Sequence, residues 1–359
     1  MSIPFTKALL NWDLNNNNRP MPWKGEKDPY RIWLSEIILQ QTRVEQGWPY
    51  YERFIKNYPT IFDLAKAKDE KVFKLWEGLG YYNRCRNLLF TARHIVKEMD
   101  GVFPKTYASL LELKGVGPYT AAAIASFAYN LPHAVVDGNV FRVFARFYGL
   151  ATPTDTKEGI VLFNQVALEN LSKTEAGNYN QALMDFGATV CKPMAPLCSS
   201  CVMQNKCVAF SINKVNQLPV KSKSIQKKNR YFDFYCFQFN DSWLIQKRGP
   251  GDIWEGLNQF YLVEQDKLQT IKETNIQTLI KVQLGIQDKY LLTGTQIIFA
   301  PYKQQLTHQT IQARFIIIPL KKIPPVFVNE LWFNKNQIKK LAFPKIINEF
   351  LQQDFLKKC

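Results

Sequence analysis

Four cysteines crowd into one short stretch of this chain, CKPMAPLCSSCVMQNKC, which runs from Cys191 to Cys207. Their spacing is C-x6-C-x2-C-x5-C, in a chain of 359 residues with seven cysteines. Thiolates this close together can surround one zinc ion or one iron–sulfur cluster. Zinc ribbons pair two C-x2-C knuckles across a longer loop, whereas only Cys198 and Cys201 form such a knuckle here. The spacing therefore favours a [4Fe–4S] cluster held by Cys191, Cys198, Cys201 and Cys207, and no strand-to-helix context supports a thioredoxin-type redox pair.

The composition indicates a globular chain with a polyanionic partner. Lysine and arginine number 46 against 30 aspartates and glutamates, which gives a formal net charge of +16. Such an excess is suited to neutralising phosphates and releasing their counterions, so nucleic acid leads, with a merely solubilising surface as the alternative. The sequence has no signal-like start and no long uncharged run. We expect no membrane span and a cytoplasmic location, associated with the nucleoid if the source is bacterial.

The pattern of apolar residues changes once along the chain. From Phe5 to about Phe210 apolar residues recur at three- and four-residue spacing, which predicts an all-α domain over residues 1–210. Residues 211–230 are rich in lysine and lack this periodicity, as is typical of a linker. Residues 231–359 contain alternating and β-branched runs with helical candidates between them, which predicts an α+β domain. We therefore expect a multidomain protein with a basic linker.

Two more motifs accompany the cysteines in the predicted helical domain. LLELKGVGPYTAAAIASFA, residues 110–128, places Gly115 and Gly117 where a tight turn can approach a phosphate, before a helix expected to begin near Pro118. The later stretch VVDGNV contains Asp137. Hairpin, aspartate and cysteines in this order resemble the endonuclease III superfamily of DNA glycosylases. The resemblance implies a helix-hairpin-helix that grips the DNA backbone, a catalytic aspartate and an iron–sulfur loop over residues 191–207.

Two stretches point to one branch of that superfamily. WLSEIILQQTRV, from Trp33, and GLGYYNRCRN, from Gly78, look like the adenine DNA glycosylases, which remove adenine mispaired with 8-oxoguanine. Superfamily members that also cut the DNA strand carry a lysine just after the hairpin, whose amine attacks the sugar. This chain has Tyr119 at that position. The resemblance implies a monofunctional glycosylase, a monomer that binds duplex DNA at A:8-oxoguanine or A:G mispairs.

Two carboxylates in different surroundings suit the hydrolysis of an N-glycosidic bond. The reaction needs an acid on the side of the base and an anion beside the cationic sugar. Glu36 has apolar helical neighbours such as Trp33 and Leu39, so we expect burial to raise its pKa and keep it protonated for donation to adenine N7. Asp137 just precedes a helix, whose N–H groups and dipole favour the anion. The alternative for Asp137 is a purely structural N-cap.

The resemblance implies further site residues. Asn139 and Tyr119 would assist near the sugar. The residues that would contact DNA and fill the gap left by the flipped adenine are Gln41, Thr42, Leu79 and Tyr81. The residues that would line the adenine pocket are Arg19, Trp23 and Gln181.

The C-terminal half resembles the Nudix-like domain with which adenine glycosylases read 8-oxoguanine. KRGPGDIWEGLNQF, residues 247–260, is similar to its opening strand-turn-strand, but the Nudix metal box is missing, so we expect binding without pyrophosphate hydrolysis. The lesion-reading Phe-Ser-His loop of the family corresponds to Leu306-Thr307-His308. Thr307 keeps the hydroxyl, and Leu306 replaces the phenylalanine.

Two alternatives to an adenine glycosylase stay open at this point. One is an endonuclease III-type glycosylase and lyase for oxidised pyrimidines, which Tyr119 disfavours. The other is a non-catalytic protein that binds damaged DNA, which the presence of both Glu36 and Asp137 disfavours.

Overall fold

The computed structural model describes residues 4–222, 227–267, 276–292 and 297–355. The chain divides into two compact units. We call Met1–Ala67 with Arg86–Ser224 the helical unit, and Lys68–Cys85 with Ile225–Cys359 the C-terminal unit. The first 67 residues thus pack with 86–224, while a short early segment packs with the second half of the chain. Within the described residues, no helix is long and apolar enough to cross a membrane.

Helices make up the regular structure of the helical unit. They are α1 (Pro4–Asn16), α2 (Pro29–Leu39), α3 (Val44–Asn57), α4 (Ile61–Lys66), α6 (Asn83–Glu98), α7 (Tyr107–Leu111), α8 (Pro118–Tyr129), α9 (Gly138–Tyr148), α10 (Lys157–Asn170), α11 (Ala176–Thr189) and α12 (Val208–Ser211). The boundary between the two units falls inside α6. The run of helices agrees with the predicted all-α domain.

Local sequence signals explain where the helices around the site begin and end. Asp28 caps α2, with Pro29 at the first helical position, where a missing N–H costs nothing. Asp137 caps α9 by accepting from two backbone N–H groups, and Gly149 ends that helix in the left-handed conformation at φ 70°. Helix α8 begins at Pro118, as predicted from the sequence.

One apolar core joins α1, α9, α10 and α11. It contains Phe5 and Trp12 from α1, Phe144 from α9, Phe163 from α10 and Phe186 from α11. The Trp12 and Phe186 rings meet edge to face with centroids 5.0 Å apart. Aromatic side chains bury large areas and favour this arrangement. The core therefore holds α9 and α11, which carry most of the site described below, in a defined relation.

The C-terminal unit is built on a mixed sheet. Its described strands are β1 (Lys228–Phe239), β2 (Ser242–Leu244), β3 (Gln246–Lys247), β4 (Asn258–Gln259), β5 (Tyr261–Gln265), β6 (Ile297–Gln305), β7 (Gln309–Pro319) and β8 (Trp332–Asn334). The main sheet has the order β6-β7-β1-β2-β8, β5 also pairs with β1, and β3 and β4 form a separate pair. Strands β1 and β7 run parallel. The helices are α5 (Asp69–Trp76), α13 (Ile276–Leu284), α14 (Lys335–Ile338) and α15 (Lys345–Phe350).

The segment 68–85 packs with the C-terminal unit, although its sequence position lies inside the predicted domain 1–210. Lys74 Nζ donates to the Leu341 carbonyl at 2.8 Å, and the Phe343 N–H donates to Glu77 Oε1 at 2.9 Å. These contacts join residues more than 260 positions apart. Contacts between such distant residues do not follow from the periodicity of apolar residues along the chain.

Candidate active site

A cavity of about 570 Å³ opens in the helical unit. It is lined by residues from α2, α8, α9, α11 and the loops before α2 and α3. The sequence-predicted residues in this lining are Arg19, Trp23, Glu36, Gln41, Thr42, Tyr119, Asp137, Asn139 and Gln181. Residues drawn from positions 19 to 181 therefore converge on one site.

Glu36 lies on α2 and is only 5% exposed. Burial raises the pKa of its carboxyl to about 7, the nearby Asp137 carboxylate adds to the rise, and the Tyr119 hydroxyl opposes it. This agrees with the raised pKa predicted from its apolar helical neighbours. A carboxyl with this pKa is protonated in a large fraction of molecules near neutral pH and can act as a general acid.

Asp137 is held by three hydrogen bonds at the start of α9. Its Oδ1 accepts from the backbone N–H groups of Asn139 and Val140, both at 2.8 Å, and its Oδ2 accepts from Asn139 Nδ2 at 2.7 Å. Burial nevertheless raises the pKa of Asp137, against the opposing effect of these donors and of Arg142. The cap was predicted correctly. The N–H donors favour the anion, as expected, but desolvation outweighs them in the net direction of the pKa shift.

The Arg142 guanidinium holds the side chain of Asn139 in place. Arg142 Nη2 donates to Asn139 Oδ1 at 2.8 Å and to the Gly187 carbonyl at 2.7 Å, and its Nε donates to the Cys191 carbonyl at 2.7 Å. Gly187 of α11 packs closely against Asn139 of α9. A Cβ at position 187 would lie 2.7 Å from Asn139 Cβ, so a larger residue there would force a shift. The amide of Asn139 therefore has its oxygen committed to Arg142 and its nitrogen to Asp137.

Trp23 and Gln181 line the cavity together with Glu36. Trp23 is buried and contacts Tyr51 edge to face, with ring centroids 5.3 Å apart. A second cavity of about 140 Å³ shares Trp23, Glu36 and Gln181 with the first. Glu36 thus lines both cavities, and in each of them the Trp23 ring and the Gln181 amide are also part of the lining.

The helix-hairpin-helix has the backbone that its glycines predict. Gly115 has φ +82°, a conformation that favours glycine, and a Cβ there would also meet Asn87 at 2.7 Å. Gly117 is the N-cap of α8, and nothing lies within 4 Å of the position its Cβ would take. The free N–H groups of α8 therefore begin beside open space, where a phosphate can approach.

The four clustered cysteines line a common small cavity of about 30 Å³. Burial raises the pKa of the Cys201 thiol to about 11, and the neighbouring thiols Cys191, Cys207 and Cys198 contribute to the rise. Arg146 Nη1 lies 3.4 Å from Cys191 Sγ. Among the described residues, no three His, Cys, Asp or Glu side chains converge as tightly as one metal ion requires.

Comparison with known proteins decides the family. Residues 34–163 match "HhH-GPD superfamily base excision DNA repair protein", and residues 234–353 match the NUDIX domain. The adenine DNA glycosylase of Buchnera aphidicola subsp. Baizongia pistaciae is 32% identical over 357 residues, which are 98% of this chain and 96% of the relative. The chain belongs to the adenine DNA glycosylase family.

Two other matches cover somewhat more than half of the chain. The adenine DNA glycosylase of Homo sapiens is 41% identical over 215 residues, 57% of this chain and 39% of the relative. A solved thermostable thymine-DNA glycosylase superposes with a TM-score of 0.53 at 29% identity, and covers 58% of this chain and 95% of that one. As a member of the adenine DNA glycosylases, the chain is an enzyme of DNA repair.

The predicted residues Leu79, Tyr81, Thr307 and His308 are not among those that line the cavity. In the C-terminal unit, the hydroxyls of Tyr81 and Thr307 contact each other. Tyr81 is 46% exposed, and Thr307 and His308 are exposed in the turn between β6 and β7. Leu79 is buried.

Asp185 and Arg142 are two polar residues of this adenine glycosylase that sequence analysis missed. Asp185 is fully buried on α11 and bonds Arg19 and Gln181. Each lies one helical turn from a predicted residue, Asp185 four positions after Gln181 and Arg142 three positions after Asn139. That spacing places neighbours on one helix face and is the signal that points to both.

Proposed function

We propose that this enzyme hydrolyses the N-glycosidic bond of adenine mispaired with 8-oxoguanine or guanine in duplex DNA, without cutting the strand. One observation carries the proposal: a buried acid with a pKa of about 7, Glu36, borders the same cavity as the capped aspartate Asp137. The two groups match the needs of a poor leaving group and a cationic sugar.

In the proposed mechanism, Glu36 gives its proton to N7 of the flipped adenine as the bond to the sugar breaks. Asp137 in its anionic form stabilises the positive charge that develops on the sugar. Asn139 holds Asp137 through Nδ2. Water then adds to the sugar, and its proton leaves for solvent or for a carboxylate. Adenine and an abasic site are the products.

Tyr119 supports the absence of strand cleavage. A Schiff base with the sugar requires an amine, and the phenol of Tyr119 at this cavity offers none. Burial and the neighbouring carboxylates raise the pKa of Tyr119 well above its ordinary value, so it stays a neutral hydroxyl. We expect no efficient borohydride trapping on an abasic duplex. Efficient covalent capture would favour a lyase instead.

Backbone conformation supports the gap-filling roles of Gln41 and Tyr81. Both are non-glycine residues with positive φ, 57° and 48° respectively. Such conformations cost free energy and cluster at functional sites. We assign Gln41 and Tyr81 to the space vacated by adenine, with Thr42 and Leu79 adjacent to them. Gly115 and Gly117 are assigned to the DNA backbone.

We further propose that Cys191, Cys198, Cys201 and Cys207 hold a [4Fe–4S] cluster. The four thiols line one cavity, which fits a common centre. A cubane takes one thiolate per iron, so its ligands stand farther apart than those of one zinc ion. The cluster would crosslink the loop 191–207 and take no part in hydrolysis. Iron and zinc analysis of anaerobically purified protein tests the assignment, and stoichiometric zinc without iron would refute it.

The C-terminal unit is proposed to read 8-oxoguanine through Thr307 and His308. Their exposure at a turn and the contact between Thr307 and Tyr81 support this role. A good base contact contributes about 1–3 kcal/mol of discrimination. We therefore expect Thr307→Ala in the full chain to reduce the preference for A:8-oxoguanine over A:G. Equal losses on both mispairs would argue for a general DNA-binding role.

The decisive experiment uses two duplexes that differ only in guanine or 8-oxoguanine opposite one adenine. Single-turnover incubation, followed by alkali and strand-length analysis, should show cleavage at the adenine only after alkali. In the same assay, Glu45→Gln is the control for loss of the Glu36 carboxyl in Glu36→Gln. It also removes a carboxylate from the cavity lining and should stay active. A chain that releases no adenine from either duplex would contradict the proposal.

A further inference from the structure

The turn that presents Tyr81 has a strained backbone. Gly78, Gly80 and Tyr81 have φ values of 97°, 74° and 48°. Positive φ values are easily adopted by glycine, but at Tyr81 the side chain makes such a conformation costly. The whole turn belongs to the C-terminal unit. Contacts from outside the turn are therefore needed to hold this conformation.

Arg84, in the first turn of α6, makes such contacts. Its Nη2 donates to the Leu79 carbonyl at 3.4 Å and to the Gly80 carbonyl at 3.3 Å. The Gly80 carbonyl also accepts from Trp76 Nε1 at 3.1 Å. These donors fix the two carbonyls that directly precede Tyr81. They thereby fix the direction in which the tyrosine side chain leaves the turn.

The same guanidinium lies over the Tyr81 ring. Arg84 Cζ is 5.5 Å from the centroid of the Tyr81 ring and 5.2 Å from that of the Trp76 ring. Both distances allow a cation–π interaction. Arg84 is only 8% exposed, whereas Tyr81 is 46% exposed. The cation thus supports the ring from inside the unit and leaves much of the tyrosine accessible.

A buried cation at this place is unfavourable in itself. Burial lowers the pKa of the Arg84 guanidinium to about 10, and the first turn of a helix is the positive end of its dipole. An apolar side chain of similar length would avoid both costs and could still pack against Trp76. It could not donate to the carbonyls of the turn or attract the face of the Tyr81 ring.

We propose that Arg84 is a positioning residue, which holds the turn 78–81 and the Tyr81 ring in the conformation that enters the duplex. The inference rests on the proposed function, since it assumes that Tyr81 fills the space vacated by the flipped adenine. A ring that is already held in place loses less conformational freedom on binding, so the contribution appears as DNA affinity. Arg84 is not among the residues that line the cavity beside Glu36.

The test measures the dissociation constant of the full chain for a duplex with a tetrahydrofuran abasic analogue opposite 8-oxoguanine, which the enzyme cannot turn over. Arg84→Met keeps the length of the side chain and removes the cation and its donors. We expect the affinity to fall about threefold to thirtyfold, the scale of one cation–π contact and one hydrogen bond. Because Arg84 acts through Tyr81, the same change in a Tyr81→Ala background should alter the affinity by less than about twofold.

Two controls separate positioning from a direct contact with DNA. If Arg84 bound a phosphate, Arg84→Met would reduce the slope of log affinity against log salt concentration by about one, whereas we expect the wild-type slope. Arg53→Met removes another guanidinium that lies over a tyrosine ring, 4.3 Å from the Tyr50 centroid on α3. This variant should bind the duplex as the wild type does.

An unchanged affinity in Arg84→Met, an equal loss with and without Tyr81, or a reduced salt slope would each overturn the inference. If Arg84→Met does not fold, Arg84→Lys takes its place in the same comparison, since lysine keeps the charge but lacks the planar guanidinium. A loss confined to the chain that retains Tyr81 then supports the inference, and any other result overturns it. If Tyr81→Ala itself binds as the wild type does, the gap-filling role under the proposed function is wrong, and the inference falls with it.

Discussion

Two buried carboxylates, one in each unit, have opposite surroundings. Glu36 of the helical unit is 5% exposed and forms no salt bridge with any described residue. Asp233, on β1 of the C-terminal unit, is 1% exposed and accepts from Arg314 Nε at 2.7 Å and from Arg314 Nη2 at 2.8 Å. Burial without a cation raises the pKa of the first carboxyl to about 7, whereas the second accepts two hydrogen bonds from one guanidinium. The partner, not burial, separates the two roles.

The largest expected effect comes from removing the unpaired acid. Glu36→Gln keeps the shape of the side chain and removes its transferable proton, so we expect adenine release to slow by about 10²–10⁴-fold. DNA affinity should change little, because Gln keeps the shape of a side chain that is already protonated in a large fraction of molecules near neutral pH. Single-turnover rates and binding at one fixed salt concentration check this. A variant within tenfold of the wild-type rate would place the acid elsewhere.

Removing the carboxylate of the Asp233–Arg314 ion pair should lower the stability of the fold and leave the rate of adenine release unchanged. Asp233→Ala removes the carboxylate that accepts two hydrogen bonds from the buried Arg314 guanidinium and should cost about 3–5 kcal/mol of unfolding free energy. Urea unfolding of the full chain measures the loss. The matched control replaces both partners, Asp233→Leu with Arg314→Met, and should recover most of it. If the double variant loses as much stability as Asp233→Ala, the cost does not come from leaving one charge of the pair behind.

Stability at different pH values should distinguish the same two sites. The folded-state pKa of Glu36 is raised from 4.5 to about 7, so its contribution to stability is full below pH 4.5 and is lost as the pH rises through 7. Glu36→Gln does not titrate, and should exceed the wild type by about 1–3 kcal/mol at pH 8 while equalling it at pH 4.5. Thermal unfolding of the variant and the wild type at both pH values tests this.

The pH dependence of the rate gives the smallest effect. Only protonated Glu36 donates, so adenine release should fall as the pH rises above about 7, approaching tenfold per pH unit. At low pH the rate should fall as Asp137 becomes protonated. Because the pKa of Asp137 is raised, this fall should occur at a higher pH than for an ordinary aspartate. Single-turnover rates from pH 5 to 9 show both limbs. A flat profile above pH 7 would contradict the assignment of Glu36.

Much of the site was predictable because its signals are local. The cap of α9 at Asp137, the start of α8 at Pro118 and the turn at Gly115 each depend on a few consecutive residues. The apolar helical neighbours of Glu36 correctly predicted that its side chain is buried. The direction of the pKa shift of Asp137 was not predictable in this way, because desolvation depends on every segment that covers the carboxyl.

The sequence by itself determined the family, the order of the motifs, the helices around the site and the burial of Glu36, since motif order, short-range periodicity and capping encode them. Only the tertiary structure decided which distant residues meet. Arg19 pairs with Asp185 across 166 positions, and the segment 68–85 packs with the C-terminal unit. Neither follows from spacing, because a buried ion pair or a packed segment is selected by the free energy of the whole assembled core, where desolvation must be offset by partners that the chain brings from far away.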